Sequence, residues 1–170
     1  MIAIVIPYYK LEYLDRLLNS LKQQTNKRFN VYIGNDDSPE DPQHIINNYK
    51  QHLNITYKKF KKNLGGKSLT KQWERCLAMI QNETWFMLPG DDDEFTPQVI
   101  EKFYEHKNDI ESQGITVVKY ASYIIDQDSK IISKKYTHPK IEKSTDAFYK
   151  KFKGETRSSM CEYVFSTSQY

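Results

Sequence analysis

Cysteine is nearly absent from the sequence, with Cys76 and Cys161 the two in 170 residues. They lie far apart and lack the paired spacing of a metal-ligand set, so they imply no disulfide framework; reduced thiols in a cytosolic protein are the expectation. Charge of one sign is scarce as well. The 25 Lys and Arg stand against 22 Asp and Glu, a net +3 that is too weak a bias to read nucleic-acid binding from charge. No apolar run spans a bilayer: Met1 to Pro7 is far too short and has no basic flank of a signal peptide, so it reads as a buried first strand. After that strand there is no Gly-x-Gly-x-x-Gly. Pro7-Tyr8-Tyr9-Lys10 stands there instead, which sets aside a dinucleotide-binding oxidoreductase. Internal repeats and low-complexity tracts are missing too.

What is present suits one folded domain. The chain is polar, with 38% hydrophobic residues and a mean hydropathy of −0.76, yet 14% aromatic residues supply large buried surfaces and argue against disorder. Ile2 to Ile6 is a continuous apolar run closed by Pro7, as in a strand buried on both faces. Leu11, Leu14, Leu17, Leu18 and Leu21 recur at helical spacing, and Phe29 to Ile33 predicts a second strand. Asp41 before Pro42 predicts a capped helix over Gln43 to Gln51, followed by a third strand near Ile55 to Phe60. Beyond the Gly65-Gly66 break, Leu69, Trp73, Cys76, Leu77 and Ile80 line one face of a third helix. Trp85 to Leu88 reads as strand four, Thr96-Pro97 opens a helix to about Glu111, and Ile115 to Tyr120 reads as strand five. This alternation predicts an α/β protein with a mainly parallel central sheet, helices on both faces, and ligands at the carboxyl ends of the strands.

Asp36, Asp37 and the run Asp91-Asp92-Asp93 fall at such ends. Three consecutive carboxylates repel one another, so they belong on a solvated turn capping the next helix or around a divalent cation. Both readings stand on the residues alone. A calcium loop is set aside, because the run lacks alternating ligands and the required glycine. Lys58, Lys59, Lys61, Lys62 and Lys67 cluster before the acidic run as a solvated strand edge and loop, or with one or two of them facing phosphate.

Val5 to Lys10, Ser20 to Thr25, Gly34 to Ser38, and Asn63 to Gly66 leading to Asp91-Asp92-Asp93 stand in that order along the chain, and together they resemble family 2 glycosyltransferases of the GT-A, Rossmann-like fold. Val5-Ile6-Pro7-Tyr8-Tyr9-Lys10 is similar to the family's opening strand and Pro-x-Tyr-Asn turn, with Lys10 in place of the usual Asn. Ser20-Leu21-Lys22-Gln23-Gln24-Thr25 resembles the helix end Ser-(Ile/Leu)-x-x-Gln-Thr, and Gly34-Asn35-Asp36-Asp37-Ser38 resembles the Asp-Asp-Gly-Ser turn. Asn63-Leu64-Gly65-Gly66 leading to Asp91-Asp92-Asp93 resembles the Asn-x-Gly segment and the Asp-x-Asp metal motif.

The resemblance implies a nucleotide-diphospho-sugar donor, UDP-linked by default with dTDP and GDP open, and inverting transfer to a saccharide or lipid-linked acceptor. It implies that Pro7 and Tyr8 lie against the base and that Asp37 with its neighbour Asp36 accepts the uracil imide N–H; Lys67, following two glycines, reaches ribose or phosphate or else stays solvated. By the same resemblance Asp91, Asp92 and Asp93 meet the ribose and a Mn²⁺ or Mg²⁺ on the diphosphate, with Asp93 and Asp91 as metal ligands. Residues 1–122 are then the donor-binding half, and 123–170 the start of an acceptor-side region expected to be incomplete. The general base is not placed: Glu162, in Ser158-Ser159-Met160-Cys161-Glu162-Tyr163-Val164-Phe165, is the candidate by position, while Asp126, Asp128 and Asp146 read as loop acids and helix caps. A non-catalytic nucleotide-sugar-binding module, or an inactive fragment lacking the general base, is the alternative. The expected location is the cytoplasm, with the mild positive charge permitting contact at the inner face of a membrane.

Overall fold

The computed structural model describes residues 1–169; Tyr170, which closes the expected acceptor-side region, lies outside the described residues. The chain runs β1 (Ile2–Tyr8), α1 (Leu14–Lys22), β2 (Phe29–Asn35), α2 (Gln43–Tyr49), β3 (Ile55–Lys59), α3 (Leu69–Leu77), β4 (Trp85–Met87), α4 (Val99–Ser112), β5 (Val117–Lys119), α5 (Ser144–Phe152) and β6 (Tyr163–Ser166). Side-chain alternation along β1 sets the layers. Ile2, Ile4, Ile6 and Tyr8 join a core with Leu14, Leu17, Leu18 and Leu21 of α1, Ile46 of α2 and Phe103 of α4. Ala3 and Val5 face the other way, onto Cys76 and Leu77 of α3. A strand covered on both faces has no position for a polar side chain, which is why β1 is apolar throughout.

β1 pairs in parallel with β2 and β4, and β3 extends β2 in parallel. The mainly parallel α/β sheet expected from the alternation is therefore present, in the order β3-β2-β1-β4-β6-β5. Its far edge differs from the expectation. β5 is not a fifth parallel strand on β4; β6 inserts between them and pairs antiparallel with both. The physical reason is cover. Val164 of β6 is fully buried and Phe165 stacks on Phe86 at 5.3 Å, whereas Val117 of β5 is 42% exposed and would leave β4 open to water.

Two helices also depart from their sequence boundaries. α4 starts at Val99 because the carbonyls of Thr96 and Pro97 already accept from the Gln24 side chain and the Thr25 amide, each at 2.8 Å. Leu69 stands in the first turn of α3, just after its N-cap Ser68, and is 52% exposed. The buried face of that helix is instead Gln72, Cys76 and Leu77, and Ile80 lies beyond its end.

Gly34 sets how closely α3 seats on the sheet. A Cβ there would lie 2.3 Å from Cys76 Sγ and 3.1 Å from Phe60. Gly34→Ala is expected to destabilise the protein by about 1–3 kcal/mol through overpacking, read as a lower urea midpoint. Pairing it with Cys76→Ala should recover part of the loss; an unshifted midpoint in the single variant would show that α3 is not held this closely.

Candidate functional site

Parallel strands bring the carboxyl ends of β1, β2 and β4 to one edge, and three short segments meet there. At the end of β2, Asp36 donates its amide to Tyr8 O at 3.0 Å while its buried carboxylate accepts from the amides of Leu64 and Gly65, both at 2.7 Å. Arg75 from α3 completes the neutralisation through an ion pair to Asp36, and its guanidinium also lies 4.0 Å over the Phe60 ring. A buried carboxylate needs both charge compensation and hydrogen bonds, and here the two come from different segments. Gly65 fits against it because a Cβ would lie 2.6 Å from Asp36 Oδ2. Asp37 is different: its φ of 58° is left-handed, and its half-exposed side chain lies 3.9 Å from Lys59.

The aspartate run forms the turn after β4. Asp91 Oδ2 accepts from the amides of Lys10 at 2.9 Å and Tyr9 at 3.3 Å, tying this turn to the end of β1. Asp93 Oδ2 accepts from the Gly90 amide at 2.7 Å, and Asp92 is exposed. Burial pushes Asp91 up from the usual carboxylate range, with the Lys10 and Tyr9 amides pulling the other way. Burial raises Asp93 as well, against the Cys161 thiol and the Gly90 amide. Asp93 is thus not the freely solvated acid that an acidic turn suggests. Among the described residues no three His, Cys, Asp or Glu converge as a metal cage. The carboxylates fit a hard cation that takes the rest of its shell from phosphate oxygens and water, and such a cation would relieve the cost of their burial.

Residues that sequence reasoning treated only as motif letters position this turn. Ser20 Oγ accepts from the Phe95 amide at 3.1 Å. Gln24, fully buried, donates to Ser20 O and Thr96 O and accepts from the Ile100 amide at 3.2 Å, capping α4 from just beyond the end of α1. Arg75 was missed because its partner Asp36 is distant in sequence, and a lone Arg in a helix carries no local signal. Pro7 is half-buried at the edge. The Tyr8 ring is fully buried and donates its hydroxyl to Glu40 O at 3.1 Å, with burial raising its pKa to about 12, so only its backbone remains to face a ligand. The exposed ring beside it is Tyr9. Lys67 closes the 64–67 turn through its amide to Leu64 O at 2.9 Å and leaves its side chain exposed.

Glu162 does not face solvent. Its carboxylate accepts from Ser122 Oγ at 2.7 Å and Arg157 Nε at 3.2 Å, with Lys119 at 3.6 Å and His138 at 3.7 Å. That enclosure suits an anchor for the return of the chain into β6, and leaves no path for taking a proton from an acceptor. Asp126 accepts from the amides of Asp128 and Lys130, as a loop acid does, and Asp146 lies in the first turn of α5.

A sequence model of the family described as glycosyl transferase family 2 matches residues 3–165. No curated protein matches the chain. Among solved structures, TarS 1–349 from S. aureus superposes with a TM-score of 0.66 at 17% identity, covering 98% of this chain and 47% of that one. The same TarS fragment in complex with UDP-GlcNAc gives 0.57 at 23% identity, over 68% of this chain and 32% of that one. The mannosyltransferase PcManGT from Pyrobaculum calidifontis, in complex with GDP-Man and Mn²⁺, gives 0.57 at 10% identity, over 70% and 34%. The chain therefore spans less than half the length of these neighbours.

The surroundings of Glu162 generate a pH dependence. Burial, and then Lys119, pulls His138 below its ordinary value of 6.5, while Glu162 and Glu142 pull it upward. The unfolded chain then takes up this proton before the folded chain does, so stability falls as pH drops below 6.5. The melting temperature is expected to fall between about pH 7.5 and about pH 5.5, and to fall less in His138→Gln. An identical slope in the two proteins would remove His138 as the responsible group.

Proposed function

The chain belongs to glycosyl transferase family 2, and from that membership and the geometry of the strand edge we propose that it binds a nucleotide-diphospho-sugar, UDP-linked in the first instance, for inverting transfer to a saccharide or lipid-linked acceptor. The observation that carries the reading is the meeting, at one edge of a parallel sheet, of the Asp36-held loop with the Asp91–Asp93 turn. The binding of UDP-GlcNAc by TarS and of GDP-Man with Mn²⁺ by PcManGT supports the ligand class.

Within this reading the base lies by Pro7 and the backbone of Tyr8. The imide N–H goes to Asp36 rather than Asp37. The left-handed backbone at Asp37 supports aligning it with the glycine of the Asp-Asp-Gly-Ser pattern, which puts Asn35 and Asp36 at the two aspartates. A carboxylate offers about four lone-pair sites; the two amides and Arg75 occupy three on Asp36, leaving one for the base. Lys67 at the rim reaches toward ribose or phosphate. Asp91 and Asp92 meet the ribose, and Asp93 with Asp91 holds a Mn²⁺ or Mg²⁺. When bound, that cation neutralises the charge that grows on the diphosphate as the sugar leaves. The residues of the turn hold the donor still, because Gln24 and Ser20 fix the backbone on which the carboxylates sit.

A second reading, a nucleotide-sugar-binding module without transfer, is favoured by the enclosure of Glu162, which removes the one candidate base by position. Donor binding with neither sugar transfer nor slow hydrolysis would select it.

Calorimetric titration with UDP and with GDP, each with Mn²⁺ and with a chelator, tests the proposal. UDP binding that needs the metal is expected; no binding of either nucleotide would overturn it. Asp93→Asn is expected to abolish the metal-dependent component while leaving the melting temperature equal or higher. Because the folded pKa of Asp93 is raised, its ionised form opposes folding at neutral pH. Asp37→Gly is expected to retain UDP affinity and to gain up to about 1 kcal/mol by relieving the left-handed backbone, whereas Asp36→Asn should lose affinity. The opposite ranking would return the imide contact to Asp37.

A further inference from the structure

The segment from Lys130 to Arg157 differs in character from the rest of the molecule. It holds nine Lys and Arg against three Asp and Glu, a net +6 in a chain whose total is +3, so that the remainder is net −3. The same segment carries the most exposed large apolar side chains among the described residues: Ile131 at 59%, Ile132 at 62%, Ile141 at 65%, Phe148 at 72%, Tyr149 at 59% and Phe152 at 82%. α5 buries none of its residues. Phe148 and Phe152, one turn apart, share a face with Tyr149 at its margin. Glu142 and Glu155 pair with Lys150 and Lys153, while Lys134, Lys135, Lys140 and Lys143 have no carboxylate within ion-pair distance among the described residues.

From this combination we propose that α5 and its flanking loops dock on an anionic lipid surface. A polyanion in solution would use the lysines and have no use for Phe148 and Phe152. A second copy of the chain would cover the aromatics and bring like charge onto like charge. A bilayer with negative headgroups takes both: aromatic and aliphatic side chains enter at headgroup depth while the lysines lie in the negative surface potential. Among the described residues no helix is long and apolar enough to cross a membrane, and the proposed contact is made at headgroup depth by the side chains of α5 and its flanking loops. The turn that leads into this segment is tied to α1 and to the aspartate turn, because Arg16 of α1 donates to Gln127 O and Ser129 donates to Glu94, next to Asp93. Docking there sets the carboxylate edge beside the lipid surface, where a lipid-linked acceptor would be presented.

Co-sedimentation of the full chain with vesicles, in the absence of nucleotide, tests the inference independently of the donor reading. The protein is expected to bind vesicles of phosphatidylcholine with phosphatidylglycerol about tenfold or more tightly than phosphatidylcholine alone, and to be released by high salt. Phe148→Ser with Phe152→Ser, and separately Lys140→Glu with Lys143→Glu, should each weaken that binding by about tenfold, with circular dichroism and melting temperature unchanged because α5 has no buried residue. Absence of binding to the anionic vesicles would overturn the proposal, and so would equal binding by either variant. A dimer that the aromatic variant dissolves, without any vesicle binding, would overturn it in favour of a second copy.

Discussion

A carboxylate removed from water must be neutralised and hydrogen-bonded on the spot, and that demand at Asp36 organises the functional edge of the molecule. Its partners come from three places in the chain: the backbone of Leu64 and Gly65, the guanidinium of Arg75 on α3, and, through its own amide, the carbonyl of Tyr8. The ends of β1 and β2, the loop after β3 and the helix that follows are thereby fixed to one point. Apolar packing alone would not set these positions to a fraction of an ångström, since it is non-directional. Removing one partner would leave an uncompensated buried charge, so the group holds together as a unit.

Gln24 plays the matching part on the other side of β1. Its amide is buried with each polar atom engaged, and it stops α4 from starting at Thr96 while supplying the amide of Ile100 with an acceptor. The aspartate turn is anchored to the end of β1 through the amides of Tyr9 and Lys10. The turn carries carboxylates whose burial raises their pKa, a local cost set against the firm hold of its surroundings. Stability at this edge and readiness for a cationic or phosphate-bearing ligand are opposed requirements, and the polar anchors reconcile them.

Sequence periodicity carried the layers because each layer is a local pattern. The apolar run at Ile2 to Ile6, the leucines of α1 and the aspartates at strand ends are all visible within a dozen residues, and the parallel part of the sheet that they imply, β3-β2-β1-β4, is observed. What escaped depends on partners far along the chain. The place of β6 between β4 and β5 follows from how well Val164 and Phe165 cover β4, which no local pattern encodes. The roles of Gln24 and Arg75 follow from carbonyls and a carboxylate that reach them only after folding. The resemblance implies Tyr8 against the base, yet its even position on β1 sends the ring into the core with Ile6 and Ile4. Glu162 is a candidate base by position alone, while three basic groups and a hydroxyl enclose it. At Asp37 a non-glycine side chain occupies a left-handed backbone conformation, a feature that the run of letters around it does not reveal.

The root of the long excursion between β5 and β6 has a consequence for how such a chain can diversify. Tyr120 donates its amide to Glu162 O at 2.8 Å, and Lys119 is paired with Tyr163, so the two ends of the excursion are clamped side by side. Once the ends are fixed, the entropy of closing the loop grows only with the logarithm of its length, about 0.6 kcal/mol for each doubling. Segments of different size and chemistry can therefore be grafted between these two points with little penalty to the sheet. The excursion is a cassette: exchange of its contents would alter what the molecule leans against, while the strand edge that holds Asp36 and the aspartate turn stays as it is.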